Sequence, residues 1–310
     1  MSNLFLYIVT VLIWGSTWFA IEFQLGTVAP EVSVVYRYVL ASALLFAWSH
    51  YRKLDLAFGL RQHGWFMLLG LLLFCLNYIL AYRAQIYITS ALTAIAFSSI
   101  LWMNIINTRI FFGVRSEWRV LLGALLGIAG IVTLFAPQVG EFSFSDLVLS
   151  GLVLAVAGAL VASFGNIASQ AAQKRGLPIV QSNAWGMLYG AIFSFLIAAG
   201  AGKQFNFDWS ASYMSSLVYL AVFGSVIAFW AYLTLLGRIG AHKAGYAMVM
   251  FPVVALILSI LFEGLEVRAT LIVGTVLVLA GNLFVLDAPL RPKQKDAADS
   301  DELAIKCAKP

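Results

Sequence analysis

Charge is scarce in this chain. Only 11% of its 310 residues are Asp, Glu, Lys or Arg, while 62% are hydrophobic. Soluble domains carry about 25% charged residues, and a particle of 33.8 kDa with a mean hydropathy of +0.92 has no interior large enough to hide that much apolar surface. A soluble protein is therefore excluded. Cysteine is nearly absent: Cys75 falls in an apolar run and Cys307 in a polar tail, which excludes a disulfide framework. Histidine is limited to His50, His63 and His242, all at the edges of apolar runs. Neither H-E-x-x-H nor G-x-S-x-G occurs, so the usual signatures of a metal site or an activated nucleophile are missing. No catalytic residue, metal or cofactor is expected. The opening "MSNLFLYIVT" has no basic n-region or A-x-A site, and reads as a retained first helix.

What is abundant is apolar sequence in segments of about 20 residues, the length that crosses a bilayer as a helix. Ten such spans are expected, over 4–22, 32–50, 64–84, 89–112, 119–136, 147–172, 182–201, 213–236, 242–262 and 268–287. The basic residues then orient them. With the N-terminus inside, the cytoplasmic ends collect Arg52, Lys53, Arg61, Arg109, Arg115, Arg119, Lys174, Arg175, Arg238, Lys243 and the five basic residues of the tail. The outer side keeps only Arg37, Arg83, Lys203 and Arg268. Both termini are expected in the cytoplasm of a bacterium, with the chain in its inner membrane. The net charge of +5 is thus a topology signal and does not call for nucleic acid.

The two halves resemble each other. "AYRAQIYITSALTAIAF" from residue 81 and "AYLTLLGRIGAHKAGYA" from residue 231 align with a shift of 150, and "GALLGIAG" from 123 matches "GTVLVLAG" from 274. Each half holds five spans, an odd number, so the second must enter the membrane inverted. Inverted repeats place a transporter's substrate site near the midplane between the halves. The expected fold is all-α, with ten transmembrane helices in two inverted five-helix repeats. The expected units are 1–136, a 137–146 extracytoplasmic linker, 147–288, and a disordered cytoplasmic tail, 289–310.

On these features the chain resembles the ten-helix EamA-type members of the drug/metabolite transporter superfamily. The resemblance is carried by Trp14 and Gly15, by Pro30 and Arg37, and by the closing glycines Gly123, Gly130, Gly274 and Gly281. Val114 and Leu265 depart from it, standing where many members have Glu. Within the superfamily the chain looks most like bacterial amino-acid and metabolite exporters, including the YddG-type. The resemblance implies a transporter, not an enzyme.

Polar and aromatic residues recur at helical spacing on spans 1, 3, 4, 6, 8 and 9, which are expected to line one cavity. Its candidate residues are Trp14, Thr17, Trp18, Asn77, Tyr78, Tyr82, Ser98, Trp102, Ser163, Asn166, Trp230, Tyr246 and Met250. For any single Ser, Thr or Asn the competing explanation is a hydrogen bond between helices, worth about 0.6 kcal/mol. Gly15 and Ser16 are expected to let the first span bend. The glycine-rich fifth and tenth spans, and Gly186-x-x-x-Gly190, read as packing elements. Towards the outer face, Glu22, Arg37 and Arg83 are expected to form an ion-paired cluster or gate, with Glu22 to Arg37 as the first pairing considered.

No His or carboxylate lies at mid-depth, so an obvious proton relay is missing. A strongly anionic substrate would call for Lys or Arg in the cavity, and a hydrophobic cation for an embedded Glu. The expected partners are a small net-neutral amphipathic molecule, zwitterionic amino acids above all, and the lipid bilayer, with the chain a monomer or weak homodimer. The alternatives are a proton-coupled exporter of drugs or other metabolites, an intramembrane enzyme, and a non-transporting scaffold.

Overall fold

The computed structural model describes residues 1–113, 118, 122–123, 125–127, 129–130, 133, 147–244, 246–264 and 266–286. All regular structure among the described residues is helical. The 137–146 linker, the 289–310 tail and much of the fifth span lie outside them.

The helices are α1 (Asn3–Glu22), α2 (Pro30–Tyr51), α3 (Leu60–Ala84), α4 (Ser90–Phe112), α5 (Leu147–Lys174), α6 (Ile179–Gly200) and α7 (Ala211–Ile239). After them come the short α8 (Ala241–Ala244), then α9 (Tyr246–Phe262) and α10 (Ala269–Leu286). The first seven are each long and apolar enough to cross a membrane. Local chemistry sets several of their ends. Ser2 and Ser210 cap α1 and α7 by accepting from the amides of Phe5 and Tyr213 at 3.2 and 3.3 Å, which satisfies donors a helix start leaves free. Pro30 opens α2, where its missing N–H costs nothing. Gly113, at φ 68°, closes α4 in the left-handed conformation glycine adopts without strain.

Three helices are irregular. Residues Leu72–Leu76 of α3 and Leu220–Ile227 of α7 are π-helical, and the two stretches coincide under the 150-residue shift between halves. α4 is interrupted at Ser98–Ser99. By contrast α1 is unbroken, against the expected bend. Gly15 instead seats α1 on α9, where a Cβ would strike Val254 at 2.5 Å. Ser16 donates to its own helix backbone and shares a 2.6 Å hydrogen bond with the Tyr219 hydroxyl.

Apolar side chains gain little by leaving lipid for a helix interface, so close packing has to hold the helices together. The pairings obey the inverted repeat: α1 packs on α9 and α7, α5 packs on α4 and α3, and α2 lies along α6. Exchanging the halves maps this set onto itself. The closing helices show the relation most directly. A Cβ on Gly130 would meet the Gly274 carbonyl at 2.7 Å, and one on Gly281 would meet the Gly123 carbonyl at 2.5 Å. Each half presents the same two glycines to the other, and only hydrogen at Cα permits that approach.

Candidate substrate cavity

Between the halves lies a cavity of about 570 Å³ of empty volume, counted with its opening. Its wall comes from α1, α3, α4, α5, α7 and α9: the polar members are Trp14, Thr17, Trp18, Asn77, Tyr78 and Asn166. Aromatic rings supply much of the remainder, through Phe97, Phe229 and Phe251.

The rings brace one another. Trp14 contacts Phe229 edge-on at a centroid distance of 4.8 Å, lies 4.9 Å from Tyr232, and meets Phe251 at 5.6 Å. Trp18 meets Phe97 at 5.1 Å. Such pairs contribute about 0.5–1.5 kcal/mol each beyond their buried area. They also fix the indoles on rigid helices, which suits a site that must hold its shape.

The polar atoms differ in how they are satisfied. Trp14 Nε1 donates to the Gly224 carbonyl at 2.9 Å, inside the π-helical turn of α7, where the backbone pattern departs from the α-helical ladder. The Thr17 hydroxyl donates to the Trp14 carbonyl at 2.8 Å. The Asn166 amide donates to Asn104 Oδ1 at 3.3 Å. Trp18 Nε1 and Asn77 Oδ1 are buried without a protein partner. A buried donor or acceptor left alone costs about 1–3 kcal/mol, so these two wall atoms are where a bound molecule gains most.

The other expected residues are distributed differently. Tyr82 is fully buried behind the wall and accepts a 3.4 Å hydrogen bond from Arg37 Nη1. Ser163 accepts from the Asn107 amide at 2.8 Å and so ties α5 to α4. Ser98 donates to the Ile95 carbonyl at 2.6 Å, within the interruption of α4. Trp102 does not line the cavity: its ring packs into the space left by Gly127. Trp230 lines a separate cavity with Leu45, Trp48 and Asn183. Met250 is exposed, and its place in the wall is taken by Met248 and Phe251. The Tyr246 side chain lies outside the described part.

Two of these departures share one cause. A stripe counted at 3.6 residues per turn cannot continue through a π turn or a break. The interruption at Ser98–Ser99 precedes Trp102, and the π turn of α7 precedes Trp230. Phe229, Phe251 and Met248 are missed for a second reason. They are apolar, and an apolar side chain on a membrane helix has the same pattern whether it faces lipid, a neighbouring helix or a cavity.

The outer charges also pair differently. Arg83 forms its ion pair with Glu31, Nε lying 2.6 Å from the carboxylate. Arg37 reaches inward and makes no pair with Glu22. Glu22 keeps a buried, unpartnered Oε1, and the neighbouring Glu263 instead accepts from Ser90 and Ser259. The expected Glu22 to Arg37 contact fails because α2 turns Arg37 towards α7.

The pattern of the EamA-like transporter family matches the chain twice, over residues 1–136 and 149–287. Among similar proteins are the uncharacterized transporter YoaV of Bacillus subtilis (strain 168), 23% identical over 91% of this chain and 96% of its own length. The uncharacterized inner membrane transporter YedA of Escherichia coli (strain K12) is 27% identical over 80% of this chain and 78% of its own. Protein PagO of Salmonella typhimurium is 21% identical over 94% and 96% respectively. A solved crystal structure shares the fold, with a TM-score of 0.69 across 99% of both chains at 18% identity. Helices long enough to cross a bilayer, a cavity between two inverted halves and a family match over nearly the whole sequence converge, and the chain belongs to the EamA-like transporter family of multi-pass membrane proteins.

Proposed function

We propose that this transporter carries neutral, amphipathic amino acids, aromatic ones included, across the bacterial inner membrane. It works as a carrier, not an enzyme: the halves rock around the central cavity and export or exchange the substrate, with both chain termini in the cytoplasm. The observation that carries the reading is the pairing of a free donor, Trp18 Nε1, with a free acceptor, Asn77 Oδ1, in one buried aromatic wall. An amino acid offers complementary groups to both, its carboxylate accepting and its ammonium donating, and the aromatic faces of the wall also attract an ammonium. A ring or thioether side chain fills the apolar remainder.

Counterflow in proteoliposomes tests this. Vesicles preloaded with unlabelled Phe, Met or Thr should take up the same labelled amino acid saturably with no ion gradient. Asn77→Ala should lower the uptake about tenfold at substrate concentrations below saturation. Failure with all three amino acids, in protein shown to be folded, removes the amino-acid reading and leaves a drug or another metabolite as cargo.

A further inference from the structure

Arg37 is the strongest polar feature that the cavity as described does not use. Its side chain is 0% exposed, on a helix that crosses the bilayer, and a guanidinium stays charged in proteins. Nε donates to Ser225 Oγ at 2.9 Å and Nη1 to the Tyr82 hydroxyl at 3.4 Å. The guanidinium carbon lies 4.5 Å from the centre of the Tyr78 ring. All of these partners are neutral. Nη2 has no partner at all. Among the described residues the ion pairs join Arg83 to Glu31 and Arg268 to Glu266, and neither involves Arg37. Burying a charge without a counter-ion costs several kcal/mol, more than two hydrogen bonds and a ring face return.

The free nitrogen lies directly behind the cavity wall, of which Arg37 itself is not a member. Tyr78, whose ring it accompanies, lines the cavity, and so does Thr17. A Cβ placed on Gly224 would meet Thr17 Cγ2 at 2.8 Å and Arg37 Nη2 at 3.0 Å. Nη2 and the Thr17 methyl therefore flank the position a Gly224 side chain would take, with Thr17 the wall residue in front of it. Among the described residues no charged side chain lines the cavity itself, so a second negative charge on a ligand would find no cation among them.

We propose that Arg37 is the counter-ion of the substrate carboxylate, and that the site selects monocarboxylates. The inference rests on the transport reading above and deepens it, by naming the residue that meets the carboxylate and by excluding substrates with two. It assigns the charge on Arg37 to the cargo and not to an outer gate.

The test is calorimetric titration of the purified full chain with three compounds that share one ring. These are phenylalanine, 3-phenylpropionate, which lacks the ammonium, and phenylalaninamide, which lacks the carboxylate. Phenylalanine and 3-phenylpropionate should bind at least about tenfold more tightly than the amide, about 1.4 kcal/mol, and Arg37→Gln should erase that preference. Binding of the amide on a par with phenylalanine overturns the proposal and leaves the amino-acid reading standing. Binding of 3-phenylpropionate without phenylalanine sustains the proposal and removes the amino-acid reading. If neither carboxylate binds, the proposal falls. Thermal unfolding separates a ligand-binding role from a structural one. An unpaired buried charge kept for a ligand should leave Arg37→Met and Arg37→Gln as stable as the parent or more so, and a Tm lowered in both variants overturns the proposal. The preference of the unsubstituted protein can be read whether or not a variant folds.

Discussion

The π-helical turn of α3 and the π-helical turn of α7 stand at equivalent places in the two halves, and the polar groups around them are used in opposite ways. Beyond Leu72–Leu76 come Asn77 and Tyr78, both in the cavity wall, and Asn77 Oδ1 is left free. Within Leu220–Ile227, Gly224 and Ser225 are already engaged, by Trp14 Nε1 and Arg37 Nε. One turn delivers a free acceptor to the cavity. Its counterpart is occupied by side chains of the opposite half. A symmetric frame thus surrounds an asymmetric wall, and a molecule bound there meets different chemistry at its two ends.

Substitutions can break this comparison or sharpen it. The largest effect is expected from Gly224→Val. Its branched side chain would collide with Thr17 and Arg37 and undo the occupied turn. Overpacking of this kind costs about 1–3 kcal/mol, read as a lowered Tm in detergent together with lost counterflow. Next comes Asn77→Leu, which should weaken phenylalanine binding about tenfold with Tm unchanged or raised, since Oδ1 has no protein partner to lose. A drop in Tm without a change in binding would mean that the α3 turn is also structural. Trp14→Phe keeps a ring but removes the donor to Gly224, and should lower stability by about 1 kcal/mol in the same thermal assay. The smallest effect is expected at Trp230→Phe, just beyond the α7 turn in another cavity. Its phenylalanine affinity should stay within about twofold of the parent, a change of well under 1.4 kcal/mol.

The helical frame of this protein is legible in its sequence because the length of an apolar run sets whether a helix can cross a bilayer. Pro30 stands at the start of α2 and Gly113 at the end of α4, as their backbone preferences require. The cavity wall is legible where the helix is regular. Trp14, Thr17 and Trp18 follow one face of the unbroken α1, and Tyr78 follows Asn77 in the regular part of α3. It is not legible across π turns, because a π-helical stretch has no residue signature to set against Leu, Phe and Val in an ordinary helix. Arg37 shows a further limit. Its depth along α2 could be counted from Pro30, but its direction towards Ser225 comes from how α2 meets α7, and no pattern within either helix contains that.

The reciprocal contact of Gly130 with Gly274 and of Gly281 with Gly123 carries one more consequence. A patch that docks on its own inverted copy is the hallmark of an isologous dimer, and here the two copies lie on a single polypeptide. The molecule is built as a tethered dimer. At the closing pair both halves need glycine, whereas the polar groups of the cavity are shared unequally. Trp18, Asn77 and Arg37 all come from the first half.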